Sequence, residues 1–411
     1  MRTALLLSSL LLAGCSGHYL STMRPVHALV EEGKPLEAYE ALKAKTDGTE
    51  WDKLLVALDE GAMLHRAGRW KESADALNQA IDLADQRETV SISEETFGRA
   101  PFRMANHEKQ ALHALQAINY LMLGQTDEAV VEARLTDLRQ TRLEADKERS
   151  AASETFVTGS TVDEKQRPFF EQLVFGRYVS AVARERSGDL DGAFIDYFRA
   201  VTLMRGAPLD AQIELTGLAP HLLWLAEARE RPELAELKAV FPGVKAEVPS
   251  GDGELVLLVE QGFAPRAVLD ETIRAYRVTP AIRGQQPVYA MIDGPVVPEV
   301  VSSLEELATR RGYRGLLVDR ERSASIAINT VLFFGYFVLM PVALPLLIKK
   351  GYESTVRDAQ SWATLPAEFA VARVRLPPGK HKVKVPGLLG QVEREVEIVK
   401  GQVTVITAEG P

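Results

Sequence analysis

One cysteine, seven histidines and 57 carboxylates are the side chains with which this 411-residue chain could do chemistry, and their spacing leaves them little to do. His107 and Glu108 with His113 come nearest to a metal-binding helix, but two ligand histidines share a helix face at an interval of four and these stand six apart. They read as residues of a helix surface. His18, His27, His65, His221 and His381 are scattered without partners that the sequence reveals. Gly-x-Ser-x-Gly and a Walker-type Gly-Lys-Ser/Thr are both absent, and Gly251-Asp252-Gly253 has neither the third glycine nor the following helix of a dinucleotide site. Adjacent carboxylates such as Glu31-Glu32, Glu94-Glu95 and Glu305-Glu306 point in different directions on a helix and read as solvated faces. Trp51, Trp70, Trp224 and Trp362 could stack on sugars, although Trp70, two residues after Gly68, reads as a packing residue. No catalytic, cofactor-binding or metal residue is assigned and no enzyme is expected. The alternative is a glycan or peptidoglycan hydrolase using carboxylates such as Glu94 and Glu95.

Cys15 is the exception. Arg2 is a minimal positive n-region, Leu5 to Leu12 a short apolar h-region, and Ala13-Gly14 the small residues that a signal peptidase needs. Leu12-Ala13-Gly14-Cys15 resembles the bacterial lipobox. That resemblance implies a cleaved signal peptide over 1–14, a mature chain beginning at an acylated Cys15, and a linker over 15–24. Two or three acyl chains anchor a protein firmly, since each buried methylene contributes about 0.8 kcal/mol. Ser16, where retention in the inner membrane would be expected to show Asp, favours the periplasmic side of the outer membrane, with the inner membrane as the alternative.

A formal net charge of -9 without basic blocks argues against nucleic acid. With Cys15 acylated no thiol remains for disulfides, so the fold rests on packing.

The elements that must position these residues fall into two kinds. From 25 to 245 the apolar period is helical, and glycines punctuate it in a repeated way: Gly33 with Ala38, Gly68 with Ser73, Gly124 with Ala129, Gly188 with Ala193. A tight turn followed by a small residue where two helices touch is the mechanics of a tetratricopeptide-like helical hairpin, and four are predicted. Their unequal spacing places insertions near 89–106 and 143–167. The first carries Phe97, Pro101 and Phe102 and could fold back over the helices; the second is polar and reads as a spacer.

After Pro242 the pattern turns β-like, giving an α+β multidomain chain. An α+β segment over 250–320 has strands at Leu255 to Glu260, Ile273 to Val278 and Val288 to Ile292, and a helix at Ser302 to Arg311. A β-rich segment over 351–411 has strands at Phe369 to Leu376 and Lys380 to Val385 and a last hairpin from Val392 to Thr407. Between them, 323–348 carries no charge and is long enough to span a bilayer. Its 14 Ile, Leu, Val and Phe side chains give a gross insertion free energy of roughly -4 to -8 kcal/mol, opposed by Asn329, Pro341 and Pro345. A membrane hairpin, a single span and a buried helix all remain open.

Ala117 to Leu121 leading into Gly124, Val131 to Arg134, Asp191 to Ala200, Val259 to Gly262 with Ala264-Pro265-Arg266, Ser361-Trp362 with Leu365 to Glu368, and Leu376 to Gly379 together resemble a family of uncharacterised proteobacterial lipoproteins with tetratricopeptide-like repeats. The last forty residues resemble PEGA-like β modules. The resemblance implies no established activity. The expected function is a lipid-anchored, non-enzymatic envelope scaffold whose hairpins form a concave surface for a protein partner. The alternative is a subunit of a membrane or trans-envelope complex that also contacts lipid through 323–348.

Overall fold

Four left-handed glycines, Gly33, Gly68, Gly124 and Gly188, with φ of 73, 68, 74 and 84°, set the path of the helical half in the computed structural model. Residues 19–48, 51–88, 102, 104, 106–138, 172–207, 212–247, 251–265, 267–270, 275–278, 281–282, 289–304, 362–387 and 389–410 are described. At each of these glycines the next amide donates to a carbonyl five residues back: Lys34 to Leu29, Arg69 to Leu64, Gln125 to Tyr120 and Asp189 to Arg184. This bond closes a helix end by a left-handed residue, which glycine adopts without a Cβ penalty.

The hairpins so formed are α1 (Tyr19–Glu31) with α2 (Pro35–Thr46), α3 (Lys53–Arg66) with α4 (Trp70–Glu88), α5 (Asn106–Met122) with α6 (126–138), and α7 (Val174–Ser187) with α8 (Leu190–Arg205). Ala38, Ser73, Ala129 and Ala193 are fully buried where paired helices touch. Ser73 donates from its hydroxyl to the Gly61 carbonyl at 2.8 Å, and a Cβ on Gly61 would collide with Leu77. Asp52 and Asp189 cap α3 and α8 by accepting from backbone amides of the first turn.

A fifth helix pair follows where four were predicted: α9 (Ala219–Ala228) and α10 (Leu234–Val240). Its turn has the same bond, Arg231 to Ala226 at 2.9 Å, but the left-handed position belongs to Glu230 at φ 49°. Glycine punctuation could not reveal it.

The β half is a two-layer sandwich laid against the helices. One sheet has the order β10 (Val403–Gly410), β1 (Gly253–Gln261), β7 (Glu368–Leu376), β6 (Glu299–Ser303); the other has β5 (Pro295–Val296), β4 (Ala290–Met291), β8 (Gly379–Gly387), β9 (Gly390–Ile398). β2 (Ala267–Asp270) and β3 (Ala275–Val278) form a separate ribbon. β1 runs parallel to β10 and antiparallel to β7, so the segment near 250 and the one after 351 build a single sheet. Leu255, Leu257 and Val259 enter the sandwich core with Val383, Val385 and Ile398. Val256 and Leu258 enter the larger core shared with the helices. A strand buried on both faces reads as an unbroken apolar run, which explains Leu255 to Val259.

Two local expectations are corrected. Ser302 and Ser303 belong to β6, paired with Phe369 and Glu368 after a bulge, so the helix expected from Ser302 starts no earlier than Leu304, which is helical; 305–311 lie outside the described residues. β9 and β10 are not a hairpin: the left-handed Gly401 carries the chain from one sheet to the other. Hairpin periodicity looks the same in either case.

Residues 1–14, Cys15, 143–167 and 323–348 lie outside the described residues, as does 89–101 of the first insertion. Phe102, which follows it, is buried: its amide donates to Asp52 at 2.9 Å and its carbonyl accepts from Arg87 at 2.6 Å. Among the described residues no helix is long and apolar enough to cross a membrane.

Relief of the left-handed penalty predicts that Glu230→Gly raises stability by at most about 1 kcal/mol, glycine's extra chain entropy offsetting part of the gain. Urea unfolding followed by circular dichroism reads this, and an unchanged or lower midpoint contradicts it.

Candidate functional site

First helices of the hairpins lie against the helix-facing side of the β10-β1-β7-β6 sheet and the chain just beyond β1. α7 stacks Phe175 on Phe369 with ring centroids 4.5 Å apart; α1 stacks His27 on Phe263, two residues after β1, at 4.3 Å. That side of β1 is apolar in its middle, at Val256 and Leu258, and acidic at its ends, at Glu254 and Glu260. Each buried glutamate meets a separate set of helix side chains.

At the Glu254 end, Arg373 of β7 makes a bidentate pair with Glu185 of α7. Nη2 donates to Oε1 at 2.7 Å and Nη1 to Oε2 at 3.0 Å. Nη2 also donates to Glu254, and Nη1 to the Tyr197 hydroxyl at 2.8 Å, which in turn donates to Glu185 at 2.8 Å. His221 of α9 completes the group, with Nε2 at 3.0 Å from Glu185 and Nδ1 at 3.4 Å from Glu254. Burial alone would push both carboxyls up. The Arg373 guanidinium, aided by His221, overcomes it, bringing Glu254 down to about 2 and Glu185 well below the usual carboxylate range. Burial and Arg373 push the His221 imidazole down, but the two carboxylates outweigh them and hold it above its ordinary value.

Glu185, His221 and Glu254 offer three ligand atoms within 4.8 Å of one another, which is a geometry for a cation. The Arg373 guanidinium already stands among them, with Nη2 2.7 Å from Glu185 and 3.1 Å from His221 Nε2. Two carboxylates are therefore matched by a fixed guanidinium, and a metal ion would have to displace it. The cluster joins three helices to two strands.

At the Glu260 end, His65 of α3 lies with Nε2 2.8 Å from Glu260 and Nδ1 2.7 Å from Asn119 Oδ1. Asn119 donates from Nδ2 to Ser73 at 2.9 Å, which fixes its oxygen toward His65. Both ring nitrogens thus face acceptors, as an imidazolium requires. Burial lowers His65, but Glu260 and Asn119 raise it further, and the charge on His65 in turn holds Glu260 below its usual range against burial. Arg66 donates to the Gly262 carbonyl at 2.9 Å and stands 3.9 Å from Glu409. Glu409 pairs with Glu260 across β10 and β1. Burial, with the neighbouring Glu260 adding to it, pushes its carboxyl up to about 7 despite Arg66.

A third anchor is Asp59 of α3, which accepts from the Tyr19 hydroxyl at 2.6 Å and from the Thr364 amide and hydroxyl at 2.9 and 2.7 Å. Burial raises it to about 6 against these hydrogen bonds.

The scattered histidines are corrected accordingly. His65 meets Glu260, 195 positions away, His221 meets Glu185 and Arg373, 36 and 152 positions away, and His381 meets the Pro377 carbonyl at 2.8 Å. His107, Glu108 and His113 are not on a helix surface. α5 is enclosed, His113 lies 2.6 Å from Glu132 of α6, and burial lowers His107 to about 4. Trp362 is fully buried, whereas Trp51, Trp70 and Trp224 are half-buried. Sequence reasoning missed Glu185, Glu254, Glu260 and Arg373 altogether. Glu254 and Arg373 signalled themselves only as charges next to apolar residues, and Glu185, between Arg184 and Arg186, gave no such signal.

No protein-family model matches the chain, and no curated protein is similar to it. Among solved structures it is similar to MamA 41-end from Desulfovibrio magneticus RS-1, at 14% identity over 55% of this chain and 92% of that one, with a TM-score of 0.32. It is also similar to a putative kinesin light chain with nearly identical TPR-like repeats from Podosopora anserina, at 17% identity over 55% and 93%, TM-score 0.31. The TPR2AB domain of yeast Sti1 in its pHSP90 complex matches at 13% identity over 54% and 97%, TM-score 0.22.

Arg373→Met leaves two buried carboxylates without their guanidinium and should cost about 3–5 kcal/mol at neutral pH. In the parent the depressed carboxyls contribute stability above their unfolded value near 4.5, lost as pH falls through about 2. In the variant they prefer protons, so the deficit should shrink between pH 8 and pH 4.5; a deficit of constant size contradicts the pairing. Glu409 has the opposite sign, since a raised carboxyl costs stability increasingly as pH rises from its unfolded value toward about 7. Glu409→Gln should therefore raise the urea midpoint at pH 8 and change it little at pH 5. Equal effects at both values would remove Glu409 as the cause.

Proposed function

We propose that the protein is a non-enzymatic scaffold or adaptor of the cell envelope, held to a membrane by acylated Cys15 and meeting a protein partner on the outer helices of its hairpins. The observation that carries the reading is the closed seam. Among the described residues, Glu185, His221 and Glu254 are tied together at one end of it, and His65 and Glu260 at the other. The face of the first helices is occupied by the chain's own sheet, so a partner meets the second helices, where Leu36 of α2, Val131 and Leu138 of α6 and Ile195 of α8 are exposed. Ser16 after the lipobox supports the periplasmic side of the outer membrane over the inner membrane.

The second reading, a subunit of a membrane complex using 323–348, is constrained by one topological fact. The chain leaves β6 at Leu304 and returns to β7, its antiparallel neighbour, with the Leu304 amide 2.8 Å from the Ala367 carbonyl. β1 pairs with both β7 and β10. A single crossing would separate strands of one sheet, so lipid contact by 323–348 enters and leaves from one side, as a hairpin does.

Fractionation tests both attachments. Cys15→Ala should move the protein from the membrane to the soluble fraction if acylation is its only hold. Residual membrane binding lost on deleting 323–348 would assign the second contact. Membrane binding that survives both changes refutes the reading.

A further inference from the structure

β10 is an edge strand: among the described residues it pairs with β1 on one side and has no strand on the other. Two bonds reach β9 across its open edge. Arg394 donates to the Thr407 carbonyl at 2.7 Å, and the Thr404 hydroxyl donates to the Glu397 carbonyl at 3.3 Å. Ile406 and Ala408 enter the sandwich core, so Val405, Thr407 and Glu409 alternate to the helix-facing side with Val256, Leu258 and Glu260 of β1 beside them. A strand bonded along one edge can part from its sheet while the other three strands stay paired.

The helix-facing side of β10 ends on a mismatch, because Glu409 is the register partner of Glu260 and both carboxyls turn toward α3. α3 supplies the facing cations, and both are committed elsewhere. His65 spends one ring nitrogen on Glu260 at 2.8 Å and the other on Asn119 of α5 at 2.7 Å. Arg66 donates to the Gly262 carbonyl at 2.9 Å and lies 5.1 Å from the centre of the Phe263 ring, leaving Nη1 3.9 Å from Glu409, beyond hydrogen-bond reach. Arg394 of β9 is engaged with Thr407. Arg66, Glu260, His65 and Arg394 are the charged groups that act on Glu409, and among the described residues its carboxyl accepts no hydrogen bond. A carboxyl so placed keeps its proton, and burial with Glu260 beside it holds it up at about 7. With 17% of its side chain exposed, it still exchanges that proton with water.

We infer that the Glu409–Glu260 pair is a pH-operated latch on β10: with Glu409 neutral the strand is closed on β1, and when Glu409 ionises the strand parts from β1 locally, ahead of the rest of the fold. The sign follows from where the proton is held. Between 4.5, its ordinary value once free in water, and about 7, each step up in pH favours the open strand, and above that the effect levels off. The raised imidazole of His65 works in the same direction, since losing its charge at still higher pH leaves both carboxylates without their nearest cation. Opening bares the backbone edge of β1 from Glu254 to Gln261, an edge able to pair with another strand. The latch rests on neither the acylation of Cys15 nor the identity of a partner.

Native-state hydrogen exchange of the full-length protein in low urea, read by mass spectrometry at pH 5 and pH 8 and corrected for the intrinsic exchange rate, tests the latch. Peptides of β10 should exchange through an opening nearly independent of urea, ahead of those of β7, which lies between β1 and β6. The equilibrium constant of that opening should rise about 70-fold from pH 5 to pH 8, the ratio for a carboxyl held at about 7 when closed and 4.5 when open. Glu409→Gln should flatten the rise, leaving β10 as protected at pH 8 as at pH 5. If β10 exchanges together with β7 and with the same dependence on urea, the strand leaves only when the whole fold does, and the latch is overturned. An opening constant equal at the two pH values, or a rise that survives Glu409→Gln, overturns it as well.

Discussion

The guanidinium of Arg373 ties together elements that the chain places far apart. β7 carries it, α7 and β1 supply Glu185 and Glu254, α9 supplies His221 and α8 supplies Tyr197. Taking these charges out of water is expensive, and the pairing repays it through the bidentate Arg373–Glu185 contact and the bonds shared with Glu254 and Tyr197, although Arg373 Nε and His221 Nδ1 make no hydrogen bond. The direction of the carboxyl shifts decides the balance: Glu185 and Glu254 are held below their usual range although both are buried, so attraction to Arg373 outweighs desolvation. Removing one member would expose the whole desolvation cost of the others. The helices and the sheet are in this sense a single structure, and the helical array is not a detachable module.

The two ends of β1 show how the same problem is met with different success. At Glu254 two carboxylates meet a bidentate guanidinium and an imidazole. At Glu260 two neighbouring carboxylates share the imidazole of His65 with an arginine whose nearest approach to Glu409 is 3.9 Å. Glu260 stays low, while burial first and the neighbouring Glu260 second push Glu409 up to about 7, beyond what Arg66 compensates. The seam is thus firm at one end and pH-sensitive at the other. Apolar contacts, Val256 and Leu258 against the helices and Phe175 on Phe369, fill the space between. Their burial supplies the bulk of the adhesion, and the charged ends fix its register.

Helix ends and strand faces were legible in the chain because they follow from local rules. Gly33, Gly68, Gly124 and Gly188 advertise left-handed turns, and the small residue five positions later follows from the closeness of the paired helices. Glu230 defeats that rule by holding the same conformation with an ordinary side chain. The seam is different in kind. Nothing near Arg373 in sequence distinguishes it from Arg375, two positions on and less buried, and Glu260 finds His65 across 195 positions. Pairings of that separation depend on which sheet edge meets which helix, and period-two patterning does not contain that information. For the same reason β9 and β10 read as a hairpin although they occupy different layers.

The filling of the first-helix face changes what a partner can use. In a free-standing array of such hairpins this face would be an open groove, and recognition would be written into its side chains. Here His65, Glu185 and His221 spend their contacts on the chain's own sheet, and His27 and Asp59 on Phe263 and Thr364 just beyond its strands. A peptide competing for that groove would have to displace a strand buried on both faces and break ion pairs in a desolvated seam. The outward surfaces remain: the second helices, and the charged outer face of the second sheet, where Lys380 and Glu395 pair at 2.8 Å in full exposure and add little stability of their own. The sheet serves as an internal ligand that makes the helices rigid, so the proposed scaffold role would place recognition on the backs of the hairpins and not in the groove.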